Sequence, residues 1–331
     1  MRCAVVGAGA WGTALADMLA CAGHEVRIWA LEREVVGAIN ERHENPTYLG
    51  GFGLASSLRA SHHHAEVLSE AQLVVYATPS QHLREIIRDG VAHVGEDAVI
   101  AVASKGIEQG TLALMSDVVA DELPHHAVVA LSGPSFAAEV AARQPTAIVA
   151  ASDEDAAAQL VQDALSSATF RVYTHDDLIG VELGGALKNV MAVATGMVEG
   201  IGLGNNSRAA LITRGLAEIT RLGIALGAQP VTFAGLAGIG DLVLTCTGAL
   251  SRNRAVGMEI GQGKTLEQAL AGKPTVAEGV ATTKSACALA QREGVEMPIA
   301  MMVHRILFDG HSPRRAIPEL MARELRAEQD A

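Results

Sequence analysis

In the first half of the 331-residue chain, apolar residues gather into short runs separated by longer stretches of mixed polarity. The runs at 2–6, 25–29, 57–60, 72–77, 98–103, 127–131, 146–150 and 170–173 read as strands, with helical segments fitting between most of them. Several, such as Leu73-Val74-Val75-Tyr76-Ala77 and Val99-Ile100-Ala101-Val102, are apolar throughout instead of alternating, the pattern of strands buried on both faces of a parallel sheet. After about Asp176 the β-like runs stop, and alanine- and glycine-rich helical segments continue, notably 207–226 and 282–293. The change predicts two domains, 1–176 and 177–331, the second all-helical.

Gly7-Ala8-Gly9-Ala10-Trp11-Gly12 follows the first strand and leads into a helix over 13–22. The spacing is that of a dinucleotide-binding turn. Its first glycine permits the tight exit from the strand, the second lets a pyrophosphate reach the backbone, and the third lets the helix pack closely. The helix would aim its free N–H groups and positive dipole end at the phosphates. The expected fold is therefore an α/β Rossmann-type dinucleotide-binding domain with a parallel-rich sheet, followed by an all-helical C-terminal domain. Gly7, Gly9, Ala10, Trp11 and Gly12 are its first cofactor candidates. Ligands of such sheets bind beyond the carboxyl ends of strands, so Thr78-Pro79-Ser80, Ser104-Lys105-Gly106 and Ser132-Gly133-Pro134-Ser135 are expected to line the same crevice.

Composition narrows the class. With 49% hydrophobic and 19% charged residues, the chain can bury a substantial core. A formal net charge of -12 counts against nucleic acid or an anionic membrane as partner, yet allows a local basic pocket for a phosphorylated small molecule. No uninterrupted apolar stretch reaches the roughly eighteen residues of a membrane span, and the N-terminus enters a strand instead of a signal peptide. No membrane insertion is expected, and the cytoplasm is the expected compartment. Cys3, Cys21, Cys246 and Cys287 form no C-x-x-C pair and read as mostly buried thiols. His62-His63-His64 has no nearby carboxylate or cysteine to complete a site, and no metal is expected.

The helical domain opens with Gly184-Gly185-Ala186-Leu187-Lys188-Asn189. On a helix Gly184 and Lys188 share a face, so the glycine would leave room for a ligand beside the lysine. Lysine seldom buries without a partner, and desolvation lowers its pKa toward the range useful for proton transfer. Further on, Asp241 and Thr245 are spaced to share a helix face, and Ser251 reads as the N-cap of a helix whose first turn carries Arg252 and Asn253. An arginine fork and free N–H groups suit a phosphate. Gly196, Gly200, Gly202 and Gly204 fit either a mobile loop or close-packed helix ends.

The glycine turn, Ser104-Lys105-Gly106, Ser132-Gly133-Pro134-Ser135-Phe136-Ala137, Gly184-Gly185-Ala186-Leu187-Lys188-Asn189, Gly238-Ile239-Gly240-Asp241-Leu242, Ser251-Arg252-Asn253 and Val276-Ala277-Glu278-Gly279 occur in an order that resembles the bacterial NAD(P)-dependent sn-glycerol-3-phosphate dehydrogenases nearly end to end. The resemblance implies reversible NAD(P)H-dependent reduction of dihydroxyacetone phosphate to sn-glycerol 3-phosphate for phospholipid synthesis. It makes Lys188 the proton donor or acceptor at the substrate C2 oxygen, with Asn189, Asp241 and Thr245 beside it. It assigns Lys105, Gly133, Ser135, Ser251, Arg252 and Asn253 to substrate, with Lys105 and Arg252 also touching cofactor. Trp11, Pro79, Ala137, Val276 and Glu278 fall on the cofactor side.

One position departs from the family's pattern. Members preferring NADPH commonly carry histidine or arginine just after the second strand, where this chain has Leu31. Glu32 stands about twenty residues past the glycine turn, suited to the ribose of NAD, while Arg33 suits a 2′-phosphate. The cofactor is thus NAD or NADP, the preference left open. A related hydroxyacid or sugar-phosphate dehydrogenase would lack the Asp241 and Ser251-Arg252-Asn253 stretches, and a silent dinucleotide sensor would have no use for Lys188, Asp241 and Arg252. A homodimer is a further expectation.

Overall fold

The computed structural model describes residues 1–272, 277–325, 327 and 328. The chain divides into two compact units, residues 1–105 with 113–182, and residues 106–112 with 183–331.

The first unit holds strands β1 (Arg2–Val6), β2 (Glu25–Trp29), β3 (Glu44–Asn45), β4 (Leu49–Gly53), β5 (Arg59–Ser61), β6 (Leu73–Tyr76), β7 (Val99–Val102), β8 (Val128–Ser132), β9 (Thr146–Ala151) and β10 (Phe170–His175). Eight of them form one sheet in the order β10-β9-β8-β7-β6-β1-β2-β5, and β3 pairs antiparallel with β4 in a separate hairpin. Neighbours from β8 across to β5 run parallel, whereas β9 turns antiparallel to β8 and β10 follows β9. The fully apolar runs are the central strands: every residue of β6 is buried, as are Ala4, Val5 and Val6 of β1. One core layer gathers Val5, Leu15, Leu19, Ile28 and Leu73, and the other gathers Val6, Val74, Tyr76, Leu83 and Ile100. The hydrophobic pattern thus placed all eight sheet strands. It shifted the fifth, expected at 57–60 and found at Arg59–Ser61, and it missed the β3–β4 hairpin, which is short and rich in glycine.

The second unit is helical among its described residues. Its framework is the helix Leu178–Ile201 from residue 183 onward, with Asn205–Ala225, Asp241–Thr247, Arg252–Gly261, Glu278–Arg292, Pro298–Phe308 and Pro313–Met321. Leu178–Ile201 is long and apolar enough to cross a membrane by composition, with mean hydropathy 1.3, but 89% of that window is buried inside the protein. It is a core helix.

Gly196 and Gly200 on this helix, and Gly257 and Gly261 on Arg252–Gly261, lie in close-packed helix, not in a loop. A Cβ on Gly196 would collide with the Arg254 carbonyl, one on Gly200 with that of Met258, one on Gly257 with that of Val193, and one on Gly261 with that of Met197. The two backbones touch directly. Gly202, at φ +93, ends the first helix, and Gly204 is the N-cap of the next.

Candidate active site

Strand order reverses between β1 and β6, so the turn after β1 opens at the point where crossovers leave in opposite directions. Gly7 takes φ +113 against the Ala77 carbonyl, and a Cβ on Gly12 would collide with the Gly7 carbonyl oxygen. These two glycines serve packing. Gly9 differs, since a Cβ there would meet nothing within 4 Å. Gly9 is also the N-cap of the helix Ala10–Cys21, which has no side-chain cap and no acidic residue in its first turn. Its first N–H groups and dipole therefore face open space suited to an anion. The Trp11 indole Nε1, the Thr78 hydroxyl and the Ser132 hydroxyl are buried and find no hydrogen-bond partner among the described residues. An open backbone cradle and orphaned polar atoms at the ends of β6 and β8 fit a dinucleotide.

The loops after β6, β7 and β8 hold together. The Ser104 hydroxyl donates to the Thr78 carbonyl at 2.6 Å, next to Pro79. Gly133, at φ +135, presents a carbonyl that accepts from Lys105 Nζ at 3.3 Å and from the Ser135 hydroxyl at 3.0 Å. Ala137 begins the short helix Ala137–Ala141 directly afterwards. Past β2, Leu31 and Arg33 are exposed, whereas the Glu32 carboxylate accepts the Tyr48 hydroxyl at 2.7 Å. That bond pushes the Tyr48 pKa up, because the neutral phenol is the donor.

The second unit assembles its own cluster. Lys188 is buried, and its Nζ lies 2.5 Å from Asp241 Oδ1. The Thr245 hydroxyl donates to the Asp241 carbonyl at 2.6 Å and reaches Oδ1 at 3.3 Å, one turn along the helix Asp241–Thr247. Helix spacing alone placed aspartate and threonine together. The room expected beside Gly184 is instead filled by protein, since a Cβ there would collide with the Ala237 carbonyl. That close approach, made by the glycine-rich wide turn Leu236–Gly240, seats the start of the Asp241 helix one turn from Lys188. Glycine at 184 thus serves the ion pair, not a ligand.

The Ser251 hydroxyl accepts from Arg254 N at 3.3 Å and caps the helix Arg252–Gly261, as its sequence position suggests. Arg252 extends from the first turn and is exposed. The Asn253 side chain is turned inward: its Nδ2 donates to Asn189 Oδ1 at 2.9 Å and its Oδ1 accepts from Gly279 N at 2.9 Å. It ties three helices together, next to Glu278 at the start of Glu278–Arg292. Val276 lies outside the described residues. Cys246 is buried in the same cluster, and burial pushes its thiol up to about 12.

Sequence reasoning missed three supports. Buried Asn45 donates to the Ala8 carbonyl and to Thr13 Oγ1, both at 2.8 Å, bracing the glycine turn from the β3–β4 hairpin. Tyr48 fixes Glu32, and Arg254 pairs with Glu199. The Asn45-Pro46 dipeptide signalled a turn, but nothing local showed where it would reach.

Family models described as the N-terminus and the C-terminus of NAD-dependent glycerol-3-phosphate dehydrogenase match residues 2–158 and 177–318. A glycerol-3-phosphate dehydrogenase [NAD(P)+] of Citrifermentans bemidjiense is 52% identical over 330 residues, covering 99% of this chain and 98% of the relative. That of Myxococcus xanthus is 51% identical over 331 residues, covering 99% of each. The crystal structure of glycerol-3-phosphate dehydrogenase from Coxiella burnetii, 40% identical, superposes with a TM-score of 0.94 over 97% of this chain and 99% of that one. The chain belongs to the NAD(P)-dependent glycerol-3-phosphate dehydrogenases.

Proposed function

We propose that this chain catalyses the reversible reduction of dihydroxyacetone phosphate to sn-glycerol 3-phosphate, using NAD(P)H, and supplies glycerophospholipid synthesis. The observation that carries the reading is the buried Lys188–Asp241 pair, in a chain about half identical to relatives named for that activity. In this reading residues 1–176 bind the dinucleotide and residues 177–331 handle the substrate.

The nicotinamide, when bound, supplies or accepts the hydride at C2. The chain's own residues do the rest. As the C2 carbonyl is reduced, negative charge grows on its oxygen, and the Lys188 ammonium stabilises it and delivers the proton. Asp241 holds that ammonium in place and favours its charged form against burial, and Thr245 steadies the carboxylate. The substrate phosphate meets Arg252 and the first-turn N–H groups that the Ser251 cap, bonded to Arg254 N, does not occupy. Binding energy gained at that remote group orients C2 for reaction. Asn253 acts through its backbone N–H, because its side chain is committed to Asn189 and Gly279. Lys105, Gly133 and Ser135 form a polar group for the substrate on the first unit.

The test is loss of nicotinamide absorbance when purified protein meets dihydroxyacetone phosphate with NADH and NADPH in parallel. Turnover is expected, and the ratio of kcat/KM values measures what Leu31, Glu32 and Arg33 select. In Lys188→Ala, kcat is expected to fall at least about 100-fold with dinucleotide affinity close to wild type. Near-normal turnover would remove Lys188 from the chemistry. Light scattering and fractionation test the remaining parts of the reading, a homodimer and a cytoplasmic location.

A further inference from the structure

The helix that carries Lys188 and the helix that begins with Arg252 and Asn253 are locked at backbone distance by Gly196, Gly200, Gly257 and Gly261. With no side chains at these crossings, the helices have one register: a slide of one residue would drive a side chain into a carbonyl. The crossing runs up to the first turn of Arg252–Gly261, where the Arg254 carbonyl packs against Gly196 and the Asn253 side chain bonds to Asn189; what remains is to tie that turn to the end of the Asp241–Thr247 helix.

Arg254 stands there. Its Nε donates to Glu199 Oε2 at 3.0 Å and its Nη2 to Glu199 Oε1 at 2.7 Å, a two-pronged bond to the Lys188 helix. Its Nη1 donates to the Gly248 carbonyl at 3.4 Å, at the C-cap of the Asp241–Thr247 helix, and its backbone N–H is the one Ser251 caps. One side chain therefore joins the carrier of Lys188, the carrier of Asp241 and the N-terminus assigned to the phosphate. The pair is largely shielded, with side-chain exposures of 15% for Arg254 and 34% for Glu199. A planar fork on both carboxylate oxygens fixes direction as well as distance, which a lysine cannot do.

We propose that Arg254 is a positioning residue for this reaction: through Glu199 it sets the phosphate-binding helix start at a fixed separation from the Lys188–Asp241 pair. The inference rests on the function proposed above. The reaction needs a phosphate and a C2 oxygen held in one rigid geometry, and a small misplacement of either is costly.

The test compares Arg254→Lys, Glu199→Gln and the double variant in the full-length protein. Three readouts are taken: kcat and KM for dihydroxyacetone phosphate, NADH affinity from tryptophan fluorescence, and thermal unfolding. Both tryptophans, Trp11 and Trp29, lie in the first unit, so the fluorescence titration reports dinucleotide binding independently of turnover. Arg254→Lys is expected to lose between about 10-fold and 100-fold in kcat/KM, with the loss shared between a raised KM and a lowered kcat. NADH affinity should stay within about twofold of wild type, and the double variant should be no worse than the poorer single one, as for two groups acting as one unit. Wild-type kinetics in folded Arg254→Lys and Glu199→Gln would overturn the inference. So would a loss that follows unfolding or reduced NADH affinity, and so would failure of both single variants to fold. If only Arg254→Lys fails to fold, Glu199→Gln decides. A wild-type protein that binds NADH yet does not turn over dihydroxyacetone phosphate would instead sink the proposed function, separately from the clamp.

Discussion

Two regions of this protein are built on closely spaced glycines, and they use them in opposite ways. At Gly7–Gly12 the outer two glycines are closed off by backbone, while Gly9 between them faces nothing within 4 Å. At Gly196, Gly200, Gly257 and Gly261 every missing side chain is replaced by a carbonyl of the opposing helix. The first region keeps a space for a ligand, with the Trp11 indole and the Thr78 hydroxyl unpaired among the described residues. The second spends its space on rigidity. Glycine spacing alone therefore says that backbones come close; what comes close is decided by the fold around it.

The contrast can be broken by adding one methyl group in each place. Gly200→Ala should have the largest effect, because its Cβ has no room beside the Met258 carbonyl. Overpacking should outweigh the better helix propensity of alanine and cost about 3 kcal/mol, read as a lowered urea midpoint, while the folded fraction still binds NADH normally. A stability equal to wild type would mean that the helices can separate without penalty. Gly9→Ala should do the reverse. Its stability should stay within about 0.5 kcal/mol of wild type, but NADH should bind about 30-fold more weakly, a loss of about 2 kcal/mol, because the methyl occupies the backbone approach. Unchanged affinity would show that no pyrophosphate lies against Gly9.

How much of this was legible in the sequence follows from the range over which each signal acts. The glycine turn and the paired apolar strands are local patterns, and Asp241 and Thr245 meet because four residues make about one helical turn. The capping role of Ser251 is equally local. The Lys188–Asp241 bond spans 53 residues and the Asn189–Asn253 bond 64, so only the folded chain brings them together. Asn45 and Tyr48 were invisible for a related reason: their hairpin is too short and glycine-rich to carry a period, and their partners lie far off in sequence. Gly184 was misread because a glycine beside a reactive lysine invites a ligand, whereas here it admits the backbone that brings the lysine its aspartate.

The unit that holds the closed crossing offers a smaller test through a carboxylate on other helices. Glu218, 2% exposed, accepts from Ile299 N at 2.7 Å and Ala300 N at 3.2 Å, and so caps the helix Pro298–Phe308. Burial raises its pKa from 4.5 to about 7, and the two N–H groups only partly offset this. A carboxyl whose folded pKa is raised favours the protonated form. The stability linked to it is fully present below pH 4.5 and is lost as pH rises through about 7. Between pH 6 and pH 8 that loss should amount to about 1 kcal/mol, seen as a urea midpoint that falls with rising pH. Glu218→Gln cannot ionise and should flatten the fall, although its amide satisfies only one of the two N–H groups and lowers stability across the whole range. A variant whose midpoint falls as steeply as wild type would show that the carboxylate is already charged at pH 6, held there by the helix it caps.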